Sequence, residues 1–429
     1  MLSFRERIKR YAPSSIRGAV NDFRRAFEPP PFEETALHGY AVHRAPEEAM
    51  RLSFVLPVLA RKNLYGGVTT GLDIFLAIGR RVGADLRILL DDFDRSVDRD
   101  FIAKAARKVD VDPARIEINF RTASIEPVDV RRDEFFLAFN WWTALNLLPV
   151  LGCQHELFGG KRRPLLYLVQ EYDPQFYPFS STHLLARASY ETKERVWGLF
   201  NSSQLHNYFR AQGHKFEREH VFEPRLSDAL RPFLETGPVP KEKRILVYGR
   251  PSIPRNCFPA VVSGLREWTK RHPQYADWVV TSAGLKHKPV PIGGGRAMNS
   301  LGMLSLEDYA NLLRRAAIGV SLQASPHPSY PPLEMAHFGV STLTNRYLCK
   351  DLSSAHDNIM SLSDIAPQTI ADALAEACLR FETSPDAGWR GKSHMPDYLA
   401  EGPYPFLDLL AADIAAEASA KRLVETGTG

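Results

Sequence analysis

The chain has 429 residues, of which 44% are hydrophobic and 24% are charged. This composition is typical of a globular protein, and the length suits two domains of about 150 to 200 residues each. The net charge is only +4 and no basic stripe continues into the body of the sequence, so we expect no nucleic-acid partner. The four cysteines are far apart and polar residues interrupt the best apolar run, residues 137–153. We therefore expect reduced thiols, a cytoplasmic protein and no membrane span.

Residues 1–30 hold the charge excess, with seven Arg and Lys residues against three acidic ones. Aromatic and aliphatic residues recur among these bases at about helical spacing, which is typical of a basic helix lying on an anionic membrane surface. Such a helix would make the protein peripheral on the inner face of the membrane. The alternative, which we favour, is a solvated arm or a helix packed on its own domain. Residues 1–50 are thus predicted to be an arm and a linker.

From residue 51 onward, strand and helix patterns alternate, which favours a parallel sheet covered on both faces. The predicted strands of this first domain, residues 51–237, are 52–59, 86–90, 116–120, 135–139, 165–169 and 196–200. Its predicted helices are 68–81, 101–109, 142–148, 182–191 and 202–210.

A stretch rich in Pro, Gly and charge at residues 235–241 precedes a second series of the same kind. The predicted strands are 244–248, 278–281, 317–322 and 340–344, and the predicted helices are 257–272, 306–315, 332–338 and 367–381. We therefore predict an α/β protein with a second doubly wound domain at residues 238–385 and a tail, residues 386–429, placed to cross back to the first domain. Ligands of such sheets bind beyond the carboxyl ends of the strands, here in one interdomain cleft.

The segment from Ser325 to Phe338 is the most informative of the chain. Pro331 and Pro332 suit the first turn of a helix, where no backbone hydrogen bond is lost, and Gly339 is placed to end it. The helix start would attract an anion, and Glu334, expected within the first turn, could accept both hydroxyls of a ribose. The alternative for Glu334 is an acid that stabilises the helix dipole.

Two arginines, Arg250 and Arg255, follow the first strand of the second domain and could bracket a diphosphate. The alternative is a pair of surface arginines beside a proline-stiffened turn. Residues 301–304 could offer backbone groups to the edge of a base, although many helices begin in this way. The run Gly293–Gly295 lacks the following lysine of a phosphate loop, so a flexible loop is expected there.

In the first domain, Gly66 and Gly67 would let a ligand approach the backbone closely, or would form a plain tight turn. Aromatic, amide and carboxylate side chains at strand ends suit carbohydrate, although such aromatics are more often the edge of a core. The residues of this kind are Asn140, Trp141, Gln170, Tyr172 and Asp173. Glu171 and Asp173 could also act as acid or base, or be structural acids in ion pairs.

Together these stretches resemble the retaining GT-B glycosyltransferases, and within them the WsaF-like rhamnosyltransferases of bacterial surface-glycan assembly. The stretches that carry the resemblance are Leu64–Gly67, Val169–Tyr172, Tyr248–Ser252 with Arg255 and Asn256, and Ser325–Gly339. The resemblance implies two Rossmann-like domains and transfer of rhamnose or a related deoxyhexose, from a donor such as dTDP-rhamnose, to a glycan or lipid-linked oligosaccharide. It implies retention, and neither a cofactor nor a metal ion.

The resemblance also implies roles for single residues. Arg250 and Arg255 would hold the diphosphate and act in catalysis together with Glu171. Glu334 would bind the ribose, and the backbone near Met303 the base. The remaining donor contacts would come from Gly67, Asn256, Gly302, Leu304, Ser329, Tyr330, Pro331, Pro332 and Leu333. The wider superfamily has a second glutamate eight positions before Glu334, where this chain has Pro326, so one acidic contact to the donor sugar is missing.

Two other functions stay open at this point. One is a GT-B-like epimerase or phosphorylase, although no lysine is marked out for the pyridoxal phosphate of a phosphorylase. The other is a catalytically degenerate protein that holds glycan at the membrane through Trp141, Trp142 and the basic arm.

Overall fold

The computed structural model describes residues 37–60, 66–91, 96–120 and 127–419. The basic arm, and Leu64 and Tyr65 of the first motif, lie outside these ranges. The described chain contains two seven-stranded sheets, one in each half of the sequence. The predicted α/β class, with two doubly wound Rossmann-like domains, is confirmed.

The first sheet consists of seven parallel strands in the order β4-β3-β2-β6-β7-β8-β9. These strands are β2 (Arg51–Leu56), β3 (Asp85–Leu90), β4 (Ile116–Phe120), β6 (Glu134–Ala138), β7 (Leu165–Val169), β8 (Val196–Asn201) and β9 (Arg218–Phe222). Two short strands, β1 (Ala41–Arg44) and β5 (Pro127–Val130), form a separate parallel pair. The helices of this half are α1 (Gly66–Val82), α2 (Arg99–Lys108), α3 (Trp141–Phe158), α4 (Ser181–Ala188), α5 (Ser203–Ala211) and α6 (Arg231–Glu235).

The first core lies on both faces of this sheet, because successive side chains of a strand point to opposite faces. In β2, Phe54 and Leu56 belong to one buried cluster and Val55 to another. The predicted strand 52–59 ends earlier, at Leu56, where Pro57 removes a backbone donor. The predicted helix 142–148 instead continues past Pro149 as α3, since burial of Val150 and Leu151 outweighs the lost hydrogen bond.

The second sheet has the order β12-β13-β11-β10-β14-β15-β16 and is parallel except for β12, which is antiparallel to β13. Its strands are β10 (Glu242–Gly249), β11 (Val279–Gly284), β12 (Val290–Gly293), β13 (Arg296–Gly302), β14 (Ala316–Val320), β15 (Ser341–Asn345) and β16 (Ile359–Leu362). Its helices are α7 (Phe258–Arg271), α8 (Leu306–Arg315), α9 (Tyr330–His337), α10 (Pro367–Thr383) and α11 (Ala387–Arg390). Gly294 and Gly295, with φ of 58° and 71°, form the turn of the β12-β13 hairpin.

The last described helix, α12 (Phe406–Ser419), packs against α1 and β9 of the first half. Leu407, Leu410 and Ile414 are buried in the core that α1 covers. Arg81 Nε lies 2.7 Å from Asp408 Oδ1, which adds a polar contact at the edge of the same interface. The end of the described chain thus returns to the first sheet. The predicted domain limits at residues 50, 237 and 385 stay predictions.

Within the described residues, no helix combines the length and apolar character needed to cross a bilayer.

Candidate functional site

The carboxyl ends of both sheets open into one cleft of about 1710 Å³. Most of the residues predicted to form the site line this cleft. They are Gly66, Gly67, Asn140, Trp141, Gln170, Glu171 and Asp173 from the first half, and Arg250, Arg255, Asn256, Met303, Leu304, Ser329, Tyr330, Pro331 and Glu334 from the second.

Four of the predicted residues are placed elsewhere. Tyr172 is packed against Tyr190, Tyr208 and Phe209, and its hydroxyl lies 3.2 Å from His214 Nε2. Pro332 and Leu333 are buried in the second half of the chain, and Leu333 belongs to its core. Gly302 ends β13 with φ of 72°, where a Cβ atom would lie 3.2 Å from the Lys286 side chain.

The start of α9, where the sequence predicts an anion site, offers few backbone donors. Ser329 has φ of 70°, and its N–H donates to Nδ1 of His327 at 3.0 Å. Pro331 and Pro332 carry no N–H, so among the four orphan positions of this helix start the N–H of Tyr330 is left for a ligand. An anion here would depend on the helix dipole and on cationic side chains more than on backbone donors.

Glu334 faces the cleft from the second turn of α9. The prediction that it lies within the first turn was wrong, because the helix begins at Tyr330 and carries no acid in its first turn. The hydroxyl of Tyr309 donates to Glu334 Oε2 at 2.8 Å. Burial raises the pKa of Glu334 to about 7, against which the Tyr309 hydrogen bond acts. The second carboxylate oxygen remains available to accept hydroxyl hydrogen bonds.

The two arginines lie at the end of β10, on the same wall of the cleft. Arg250 Nη1 donates to the Tyr248 hydroxyl over a long 3.4 Å. The guanidinium carbon of Arg255 lies 4.3 Å from the ring centroid of Phe176, a residue of the first half. Asn256 beside them is 3% exposed, and its Oδ1 has no hydrogen-bond partner among the described residues. Two cationic side chains and a buried polar acceptor thus line the same cleft.

The two glycines at the start of α1 lie against side chains that line the cleft. A Cβ atom on Gly67 would lie 2.5 Å from Gln170 Oε1, and one on Gly66 would lie 3.4 Å from the ring of Tyr330. Gln170 belongs to the first half and Tyr330 to the second, so of these two contacts that of Gly66 crosses the cleft, at an ordinary van der Waals distance. At Gly67 glycine is needed for space and not for its backbone conformation, since a Cβ atom would clash with Gln170 while φ is not positive.

The polar residues at the ends of β6 and β7 are partly engaged in structural contacts. Asn140 caps α3, and its Oδ1 accepts from the Thr143 N–H at 3.1 Å. Asp173 accepts from the backbone N–H of Trp141 at 3.2 Å, and burial raises the pKa of Asp173 to about 6. The Trp141 ring is 1% exposed and donates to the Tyr177 hydroxyl at 3.1 Å. These contacts fix the shape of the cleft wall.

Contacts between the two halves involve residues that the sequence did not single out. Tyr330 accepts a hydrogen bond from Asn201 Nδ2 at 2.9 Å, and its hydroxyl lies 3.3 Å from Thr70 Oγ1. Glu171 Oε1 accepts from Gln323 Nε2 at 2.9 Å, and Oε2 accepts from the hydroxyl of Ser325. Asn201 and Gln323 each follow a strand pattern, which could have marked them.

A buried lysine also supports this region. Lys350 is fully buried, and its Nζ donates to the backbone carbonyl of Gln323 at 2.7 Å. Burial lowers the pKa of Lys350 to about 8. Burial also lowers the pKa of His327 to about 3, so its ring is neutral and can accept the Ser329 N–H. Nothing in the sequence around Lys350 indicates this placement.

Two Rossmann-like domains with ligand-binding loops on a shared cleft define the GT-B fold of glycosyltransferases. The structure of WaaG, a glycosyltransferase involved in lipopolysaccharide biosynthesis, is similar, with a TM-score of 0.50 and 12% identity over 85% of this chain and 99% of that one. At this identity the likeness concerns the fold alone.

The chain belongs to the WsaF family, as the resemblance predicted. The WsaF N-terminal domain matches residues 51–203 and the WsaF C-terminal domain matches residues 243–375. The O-antigen biosynthesis protein RfbC of Myxococcus xanthus is 29% identical over 262 residues, which are 59% of this chain. The match spans only 19% of the length of that relative.

Proposed function

We propose that the protein transfers a sugar, rhamnose or a related deoxyhexose, from a nucleoside-diphosphate donor to a glycan acceptor with retention. The observation that carries this proposal is the meeting of Arg250, Arg255 and Glu334 at one cleft between two Rossmann-like domains. Guanidinium groups suit a diphosphate, and a carboxylate suits the paired hydroxyls of a ribose. Membership of the WsaF family supports the same class of substrate.

The arrangement supports a reaction in which the departing diphosphate is stabilised by fixed positive charge. Arg250 and Arg255 would neutralise the leaving group, and the dipole of α9 would act in the same direction. The two arginines would supply the charge for which other transferases use a metal ion. In a retaining transfer the acceptor hydroxyl approaches from the face that the diphosphate leaves. No separate carboxylate base is then required.

The acceptor would lie against the first domain, near Gly66, Asn140, Gln170 and Asp173. The name of the relative in O-antigen biosynthesis supports our proposal that the acceptor is a glycan or lipid-linked oligosaccharide of a bacterial surface polymer. If residues 1–30 form the basic membrane-surface helix and not the solvated arm or packed helix, they would bring the enzyme to an anionic membrane. Deleting residues 1–30 should then reduce cosedimentation with anionic vesicles, and equal sedimentation of both forms would contradict this role.

A donor panel tests the function directly. The protein is incubated with dTDP-rhamnose, UDP-glucose and related nucleotide sugars, with and without extracted lipid-linked glycan. We expect release of nucleoside diphosphate, greatest with a deoxyhexose donor, and a mass increase of the glycan by one sugar. The product should have the anomeric configuration of the donor by NMR. Tight glycan binding without turnover of any donor would instead support the scaffold function.

A further inference from the structure

Glu171 lies in the first domain but makes its side-chain hydrogen bonds with the second. Its Oε1 accepts from Gln323 Nε2 at 2.9 Å, and its Oε2 accepts from the hydroxyl of Ser325. Gln323 and Ser325 belong to the loop that connects β14 to the start of α9. The carboxylate therefore joins the end of β7 to the loop that positions the proposed diphosphate site.

The loop that Glu171 contacts is also hydrogen-bonded to other parts of the second domain. The backbone N–H of Ala324 donates to the carbonyl of Arg255 at 2.7 Å, and Lys350 Nζ donates to the carbonyl of Gln323 at 2.7 Å. The N–H of Gln323 donates to Asn345 Oδ1 at 2.7 Å. A residue that binds this loop is therefore connected, through the Ala324 hydrogen bond, to the backbone of Arg255 in the proposed donor site.

We propose that Glu171 is a positioning residue that holds the two domains closed over the donor site, and that it is not the proton acceptor of the reaction. The expected effect of Glu171 on catalysis rests on the proposed function, whereas its expected effect on domain closure does not. Each carboxylate oxygen already accepts a hydrogen bond from a group of the opposite domain. A general base must instead point one oxygen at the proton that it removes.

A second contact across the cleft supports the same conclusion independently. The Tyr330 hydroxyl accepts from Asn201 Nδ2 at 2.9 Å and lies 3.3 Å from Thr70 Oγ1. Tyr330 is the first residue of α9 and directly follows the loop that Glu171 contacts. Two polar contacts from different strand ends of the first domain thus converge on one segment of the second.

The charged groups near Glu171 also suit a closing contact. Burial raises the pKa of Glu171 to about 7. Arg255 and Lys350 of the second domain act against this rise, and Asp173 of the first domain adds to it. The attraction therefore acts across the cleft and the repulsion acts within one domain. If the domains separated, Glu171 would stay beside Asp173 but would lose its neighbours Arg255 and Lys350.

The experiment compares Glu171→Ala, Glu171→Gln and Ser325→Ala, with Glu156→Ala at an exposed position as the control. Small-angle X-ray scattering without nucleotide measures closure, and kcat and KM for the best donor of the panel measure function. We expect Glu171→Ala and Ser325→Ala to increase the radius of gyration and the donor KM. Glu171→Gln keeps a side chain that can accept and donate, so we expect it to retain about ten times the kcat of Glu171→Ala.

The combination Glu171→Ala with Ser325→Ala gives a further measure. Both residues form one contact, so their effects should not be independent. We expect the change in donor KM of the double variant to differ about fivefold or more from the product of the changes in the two single variants. Independent effects would contradict a shared contact. If Glu171→Gln is as inactive as Glu171→Ala while all scattering profiles coincide, Glu171 is the base and the proposal is wrong.

Failure of the proposed function would be recognised separately. If the wild type turns over no donor, scattering and thermal unfolding still compare Glu171→Ala with the control. An unchanged radius of gyration in Glu171→Ala would overturn the closing role whatever the activity. A larger radius would support that role even if the protein transferred no sugar.

Discussion

Replacing Glu334 with glutamine tests the ribose contact and the energetic cost of a buried acid together. In the free protein, burial raises the pKa of Glu334 to about 7 from its ordinary value of 4.5. This difference corresponds to about 3 kcal/mol at about 1.4 kcal/mol per pH unit. Because the folded pKa is the higher one, the cost is fully present above pH 7 and disappears below about pH 4.5.

Glu334→Gln should therefore raise the free energy of unfolding at pH 8 by up to about 3 kcal/mol, with little change at pH 4.5. The amide oxygen can still accept the hydrogen bond of the Tyr309 hydroxyl, so packing is retained. Urea unfolding at the two pH values measures the change. A variant less stable than the wild type at pH 8 would show that burial of this carboxylate is not a net cost.

The same substitution should weaken binding of a nucleoside diphosphate. The ionised carboxylate accepts hydroxyl hydrogen bonds most strongly, and a hydrogen bond to a charged group contributes about 1.5–3 kcal/mol. Wild-type affinity should fall about tenfold from pH 8 to pH 6, since about a tenth of a group with a pKa of about 7 is ionised at pH 6. Calorimetry with dTDP should show a smaller pH dependence in Glu334→Gln. Identical pH profiles for the two proteins would refute the ribose contact.

Three other predictions concern the phosphate site, the glycine start of α1 and the terminal helix. Arg250→Ala and Arg255→Ala should each raise the Kd for dTDP about tenfold or more without unfolding the protein, as measured by calorimetry, because each removes a charge-assisted hydrogen bond. Gly67→Ala should displace Gln170 and lower kcat/KM, while the free energy of unfolding stays equal or rises by up to about 1 kcal/mol; adding Gln170→Ala should restore part of the loss. Leu410→Ala should lower the free energy of unfolding by about 2–5 kcal/mol in urea, since the side chain is fully buried.

The alternation of strands and helices was predictable because each buried strand of a parallel sheet is an apolar run. Strands β2, β3, β7, β8 and β14 all carry that signal. The strands that the sequence did not predict are short or half-exposed and lie at a sheet edge or next to one, such as β9, β12 and β13. Their residues are exposed on one side, so burial leaves no continuous pattern in them.

The cleft residues were predictable where local chemistry marks a strand end. Arg250 and Arg255 stand out in this way, and so does the segment that begins at Ser325. Strand ends could mark Asn201 and Gln323 as cleft residues, but not their partners, because the pairing of Tyr330 with Asn201 depends on how two domains meet. The same holds for Lys350, whose charge is buried beneath a loop 27 residues earlier in the chain.

The most direct measurement of the central claim is a crystal structure of the protein with dTDP or UDP bound. We predict that the diphosphate lies within hydrogen-bonding distance of Arg250 and Arg255 at the start of α9, with the ribose hydroxyls on Glu334. A nucleotide bound outside this cleft, or a cleft that takes up neither nucleotide at millimolar concentration, would contradict the account.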